Sequence, residues 1–290
     1  MKKGSLMIQG TSSAVGKSII TLALCRYFSN NGYKVAPFKS QNLSSVSFTS
    51  NSGQIFAWAQ ALQAFGAKTK PIEEMNPVLI KPVGGGYSEV FLLGKSLGRL
   101  HYTDYNRRKT FLWRKIREAY NTLLEKHDIV IVEGAGSPVE LNLKKGDIVN
   151  MKVAKSFNIP VLIVGNIHLG GVFASLYGTY KLLSRAEQKL VKGFIINKFK
   201  GSKEHLGDGL KTLEKLTKVR TVGIVPFIDH HLEDEDDAGK SSKNIEKNMD
   251  SSSFTDELDS EIECISKIIC DNLDMVYIKE LLFRGDRIWN

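Results

Sequence analysis

Gly10-Thr11-Ser12-Ser13-Ala14-Val15-Gly16-Lys17-Ser18 is the stretch from which the rest of the chain can be read. An apolar run, Leu6-Met7-Ile8, precedes it, and Ile19-Ile20-Thr21-Leu22-Ala23-Leu24-Cys25 follows with the pattern of a buried helix. Strand, small-residue loop, Gly-Lys-Ser and helix make the layout of a phosphate-binding P-loop. Small residues let backbone N–H groups converge on phosphate oxygens, and the helix N-terminus adds the positive end of its dipole. Gly10, Thr11, Ser13 and Gly16 are therefore expected to form the cradle. Lys17 is expected to reach the outer phosphates of ATP, and the Ser18 hydroxyl to complete a Mg²⁺ shell. One spacing is unusual: five residues, where the common pattern has four, separate Gly10 from Gly16.

Outward from the loop, short apolar runs alternate with helical stretches. Tyr33 to Phe38 reads as a second strand and Gln54 to Ala67 as an Ala/Gln-rich helix. Val78 to Ile80 and Val90 to Leu93 are short strands around Gly84-Gly85-Gly86. Tyr105 to Lys126 carries Phe111, Leu112, Ile116, Ala119, Leu123 and Leu124 at a helical period. Asp128 to Val132 reads as a buried parallel strand ending in Glu133-Gly134-Ala135-Gly136, and Val161 to Val164 and Gly193 to Ile196 repeat the theme. Thr221 to Val225 reads as the last strand. This alternation predicts an α/β fold of three layers around a doubly wound, mostly parallel sheet, the P-loop NTPase class, over residues 1–228. Residues 229–253, with the acidic knot Glu233 to Asp237, read as a polar flexible linker. Residues 254–290 read as a helical tail.

Charge is unevenly placed. Residues 1–228 hold 33 Lys and Arg against 14 Asp and Glu, and residues 229–290 hold 7 against 17, within a net charge of +9. A basic body suits a polyanionic ligand such as a nucleotide or a polycarboxylate, and a solvated Lys-rich surface is the plainer reading of most of these lysines. No zinc-finger, RNP or helix-turn-helix signature points to nucleic acid. No run nears the ~20 apolar residues that would cross a membrane. Three cysteines, Cys25, Cys264 and Cys270, form no CxxC pair, which fits a reducing cytoplasm, and Met1-Lys2-Lys3 leads straight into the first strand with no cleavable signal expected.

The loop's Gly-Thr-x-Ser-x-x-Gly-Lys-Ser form resembles that of the dethiobiotin synthetase-like group. Further blocks resemble the ATP-dependent synthetase domain of cobyric acid synthase (glutamine-hydrolysing). They include Ala36-Pro37-Phe38-Lys39-Ser40-Gln41-Asn42, Ala59-Gln60-Ala61-Leu62-Gln63-Ala64 and Met75-Asn76-Pro77-Val78-Leu79-Ile80-Lys81-Pro82. Val132 to Leu143, Asp147 to Met151, Gly170 to Ser175 and Lys192 to Phe199 continue the set in the family's order. The resemblance implies phosphorylation of a corrinoid propionate by ATP and attack of ammonia on the acyl phosphate, on adenosylcobyrinic acid a,c-diamide in cobalamin biosynthesis. It also implies substrate contacts from Gln41, Asn42, Asn76, Lys81, Gly136 and Ser137, and adenine recognition by Asn197.

The residues admit their own readings beside these. Glu133, at a strand end, is either a second Mg²⁺ ligand opposite Lys17 or a turn cap. Lys39 is either a catalytic cation at the transferring phosphoryl group or a surface lysine. Asn76, Lys81 and the glycine loop are either substrate elements or an Asn-Pro turn.

Departures from the family pattern are as informative. Ala14 stands where an acid or amide is usual. Trp58 closes a segment, from Gln54, that lacks the family's glutamate and arginine. Asn166-Ile167-His168-Leu169-Gly170-Gly171 lacks two acids and an arginine. His168 has no Cys or His partner in sequence and is not expected to bind metal. No Gly-x-Cys-x-Gly nucleophile setting is present, and Cys264 and Cys270 read as apolar helix positions, so a separate glutaminase subunit or free ammonia is expected to supply nitrogen. Two other readings stay open. One is a non-catalytic nucleotide- or corrinoid-binding paralogue; the other is a ParA/MinD-type ATPase switch, which expects a Lys-Gly-Gly opening to the loop. A homo-oligomer is compatible with all of them.

Overall fold

The computed structural model describes residues 3–230, 232, 245–248 and 256–283. In chain order, β1 (Gly4–Gly10) leads into α1 (Lys17–Asn30) and β2 (Val35–Phe38). Short strands β3 (Gln41–Leu43), β4 (Val46–Thr49) and β5 (Ile55–Ala57) precede α2 (Trp58–Gly66). A meander of β6 (Val78–Gly84), β7 (Tyr87–Leu92) and β8 (Lys95–His101) feeds the long α3 (Tyr102–Lys126). Then follow β9 (Ile129–Glu133), α4 (Met151–Ser156), β10 (Val161–Asn166), α5 (Val172–Leu182) and α6 (Arg185–Gln188). The chain goes on through β11 (Val191–Phe199), α7 (Gly209–Thr217), β12 (Thr221–Pro226), β13 (Ile245–Asn248), α8 (Asp256–Asp271) and α9 (Met275–Phe283).

Six strands form the central sheet in the order β12-β11-β10-β1-β9-β2, every pair parallel. Strands such as Ile129 to Val132 and Val161 to Val164 are apolar at every position because both of their faces are covered. Leu6, Ile8, Leu162 and Val164 pack against α1, α8 and α9 on one face. Met7, Val130, Val132, Ile163 and Phe194 pack towards α3, α4 and α5 on the other. The result is the expected three-layer α/β fold. Ile8 lies opposite Glu133 and Gly10 opposite Val164, so the loops after β1, β9 and β10 leave the sheet side by side. That edge is where such sheets bind ligands.

Four readings are corrected. Gln54 to Ala67 is not one helix: Ile55–Ala57 pairs antiparallel with β4, and the helix starts at Trp58. A three-residue strand shows no readable periodicity, and the Phe48–Phe56 ring contact at 5.2 Å comes from cross-strand register. β12 is not the last strand, since β13 pairs in parallel with β4. The tail pattern from Phe254 is two helices, because the Asp274 carboxylate accepts the Tyr277 N–H at 3.0 Å and starts α9 afresh. Cys264 is exposed, whereas Cys270 is buried as expected. Most of the expected linker, 229–253, including its acidic knot, lies outside the described residues.

The tail helices belong to the main core. Ile262, Ile265, Ile269, Ile278 and Leu282 join the cluster containing Ile20 and Leu24. The fully buried Arg26 of α1 ion-pairs with Asp259 and, at 3.6 Å, with Glu263 of α8. Among the described residues, no helix is long and apolar enough to cross a membrane.

Candidate active site

The loop between β1 and α1 works only with glycine at two places. A Cβ on Gly10 would lie 2.6 Å from Val15 Cγ2 and 2.9 Å from the Ser12 carbonyl. Gly16 has φ +94°, and a Cβ there would strike the Asn197 carboxamide. No side chain caps the start of α1, and the positive end of the helix dipole faces the loop. Thr11 N–H is held by the Val164 carbonyl at 2.9 Å, tying the loop to β10, while Ser12 and Ser13 are exposed. Lys17 is buried and its Nζ donates to the Ser12 carbonyl at 2.9 Å, folded back over the loop. Ala14 sits at φ +56°, a left-handed position that a Cβ disfavours.

Beyond the loop, three donors meet on one carboxylate. Ser18 Oγ and Lys39 Nζ each donate to Glu133 Oε1 at 2.9 Å, and Gln63 Nε2 donates to Oε2 at 2.6 Å. Glu133 is fully buried at the end of β9, and Lys39 at the end of β2 is almost so. Two neighbouring parallel strands thus deliver opposite charges to the P-loop serine. A hydroxyl and a carboxylate are hard oxygen ligands of the kind Mg²⁺ takes, and their convergence at a phosphate cradle fits that ion. Among the described residues no group of three or more His, Cys, Asp or Glu could hold a metal.

The other predicted residues take distinct places. Asn42 Nδ2 donates to Gln60 Oε1 at 2.9 Å and is linked through α2 to the Glu133 cluster. Gln41 Oε1 accepts the Tyr105 hydroxyl. Asn76 is buried and spends its amide on the Lys39 and Val78 carbonyls, at 2.9 and 3.2 Å, and on the Ala57 N–H at 3.1 Å. It thereby holds the backbone at Lys39. Lys81 lies in the separate β3-β6-β7-β8 sheet, donating to Ser47 Oγ at 3.1 Å with its ammonium 6.0 Å from the Phe91 ring. Gly136 has φ +54°, and the buried Ser137 follows it. Asn197 donates to the Val15 carbonyl at 2.8 Å from beneath the loop. With Gly16, Pro226, Ile228 and Ile269 it lines a small open cleft.

Sequence reasoning assigned no role to Gln60, Gln63 or Asn150. Asn150 braces the loop after Glu133, accepting the Ala135 N–H at 3.1 Å and donating to the Ala135 carbonyl at 2.7 Å. Two glutamines three apart on one face of an otherwise Ala/Leu helix were the available signal.

Residues 6–238 match the family described as the CobQ/CobB/MinD/ParA nucleotide binding domain. The chain belongs to this family. A cobyric acid synthase of Clostridium tetani is 46% identical over 249 residues, which are 86% of this chain and 51% of that protein. A probable cobyric acid synthase of Thermococcus kodakarensis is 48% identical over 233 residues, covering 80% of this chain and 48% of its own length. The adenosylcobalamin biosynthesis bifunctional protein CobDQ of Leptospira interrogans is 48% identical over 227 residues, 78% of this chain and 26% of that protein. The chain therefore spans about half the length, or less, of these relatives.

In this member of the CobQ/CobB/MinD/ParA family the two buried thiols, Cys25 and Cys270, are unsuited to nucleophilic work. Burial, with the Glu133 charge second, drives the Cys25 thiol far above its ordinary range, and burial pushes Cys270 up to about 12. The loop after β10 is open: Leu169 is 82% exposed, and the His168 ring lies 5.4 Å from Phe227, over which Lys200 Nζ sits at 3.8 Å.

Proposed function

We propose that this chain is an ATP-dependent carboxylate-amide ligase of cobalamin biosynthesis, acting on adenosylcobyrinic acid a,c-diamide as cobyric acid synthases do. The observation that carries the reading is the meeting of Ser18 and Lys39 on the buried Glu133 carboxylate beside a P-loop helix with no side-chain cap. Ser18 and Glu133 would hold Mg²⁺, which would supply positive charge at the nucleotide phosphates. Lys17 and the loop amides would grip the outer phosphates. Lys39, paired with Glu133 at 2.9 Å, would neutralise the charge that develops on the γ-phosphoryl group. A substrate carboxylate oxygen attacks phosphorus, the bond to the ADP oxygen breaks, and an acyl phosphate results. Ammonia then attacks the carbonyl carbon, phosphate leaves, and the amide nitrogen loses a proton. Asn42 stands on the substrate side, with Gln41, Gly136 and Ser137, and Asn197 stands at the base cleft.

Nitrogen comes as ammonia, free or from a glutaminase partner, because neither buried thiol of this chain suits a glutaminase nucleophile and Cys264 lies on a helix face. A second reading, a nucleotide- or corrinoid-binding domain without turnover, draws on the exposed Leu169 loop, which carries neither acid nor arginine. Incubation with ATP, Mg²⁺, ammonium and the corrinoid diamide separates them. Product masses that step by one amidation support the ligase; nucleotide binding with unchanged substrate mass supports the binding domain.

A further inference from the structure

The carboxamides of α2 form a directed chain that ends on Glu133. Asn42 Nδ2 donates to Gln60 Oε1 at 2.9 Å, Gln60 Nε2 to Gln63 Oε1 at 3.4 Å, and Gln63 Nε2 to Glu133 Oε2 at 2.6 Å. Gln63 Nε2 also reaches the Ser18 carbonyl at 3.3 Å. All four side chains are 3% exposed or less. Burying three carboxamides is costly unless each is bonded, and an Ala/Leu helix could have packed here with apolar groups alone. The chain runs one way, each N–H to the next oxygen, so its polarisation accumulates on the carboxylate. The shortest bond of the series is the last one, where the acceptor is charged.

The consequence lies in how the two carboxylate oxygens are divided. Gln63 occupies Oε2, which leaves Oε1 as the oxygen facing Ser18 and Lys39. A carboxylate free to rotate would present either oxygen to an ion bound at Ser18. We propose that Gln63, backed by Gln60 and Asn42, is a positioning relay. It determines which Glu133 oxygen faces the nucleotide-bound metal ion and ties that carboxylate to the substrate-side strand β3. The inference rests on the metal-nucleotide reading of the site and adds to it the groups that orient the metal carboxylate. Partners that orient a ligand commonly contribute a factor of about 10–100 to metal affinity.

The test uses the full chain, Mn²⁺ as the probe and the β,γ-imido analogue of ATP, with free Mn²⁺ read by electron paramagnetic resonance. Gln63→Met keeps the side-chain volume and removes the donor. It should weaken Mn²⁺ binding to the analogue-bound protein about 10- to 100-fold, with metal-free affinity for the analogue close to the parent's. Gln60→Met, one bond further out, should move Mn²⁺ affinity in the same direction by less, and it carries the test if Gln63→Met does not fold. Glu133→Gln is the control. Parental Mn²⁺ affinity in the glutamine variants beside a large loss in Glu133→Gln overturns the relay. Parental affinity in Glu133→Gln as well overturns the metal reading beneath it. Equal losses with and without metal would mean general loosening of the site, and also overturn the relay.

Discussion

Around Glu133 the side chains of Ser18, Lys39 and Gln63 are bonded to one buried carboxylate, whereas two strands away the loop after β10 turns Leu169 out to 82% exposure. Both regions border the P-loop, the first through Ser18 and the second through the Thr11–Val164 backbone bond. The first is preorganised, so charge there needs little rearrangement to meet a phosphoryl group. In the second, the Asn166 side chain accepts its own loop's His168 N–H at 2.9 Å. The two regions are thus built of structurally different material, and substitutions should separate what each contributes.

The contrast is broken most severely at Lys39. Lys39→Met leaves the Glu133 carboxylate buried without its cation, and should cost about 3–5 kcal/mol in stability by urea unfolding. Where the variant still folds, amidation should fall by about 10²–10³-fold. A variant as stable as the parent would mean that the pair is solvated in the native protein. Lys17→Ala is next, removing MgATP binding measurable by calorimetry while leaving the fold intact, since its Nζ is bonded within the loop itself. Binding at parental strength would remove the P-loop from the account.

Repair of the exposed loop sharpens the comparison from the other side. Asn166→Asp with His168→Asp and Leu169→Arg should raise the amidation rate with ammonium, and their effects should couple because they share one loop. Stability should move little, about 0.5 kcal/mol, because His168 and Leu169 lie on the surface. An unchanged rate would place the loop outside the chemistry. Glutamine in place of ammonium should give no product, and release of glutamate by the purified chain would count against the nitrogen assignment. The smallest effect is expected at Ala14, whose φ of +56° suits asparagine better than alanine. Ala14→Asn should stabilise the chain by about 0.5–1 kcal/mol in urea unfolding, with little change at Glu133.

Local signals carried the central sheet. Runs such as Ile129 to Val132 bury both faces, and the glycines of the P-loop stand where a Cβ would collide, so strand, loop and helix could be read in order. Lys39 and Glu133 were also legible, because each ends an apolar strand and parallel strands end at one edge. Ile55–Ala57 was not, since three residues show no period and their partner strand defines them. Nor was the docking of α8 on α1, where Arg26 meets Asp259 from 233 residues away and no local pattern announces the pair.

What the sequence by itself determined is the phosphate cradle and the alternation that builds a parallel sheet around it, because both depend on neighbours within a few residues. Tertiary structure alone decided which side chains share the Glu133 carboxylate. Gln63 comes from a helix 70 residues away in the chain, and Asn76 is turned inward to hold the backbone at Lys39 rather than outward to a ligand. A side chain's type states what it can bond to; the packing of distant elements decides which partner comes within reach.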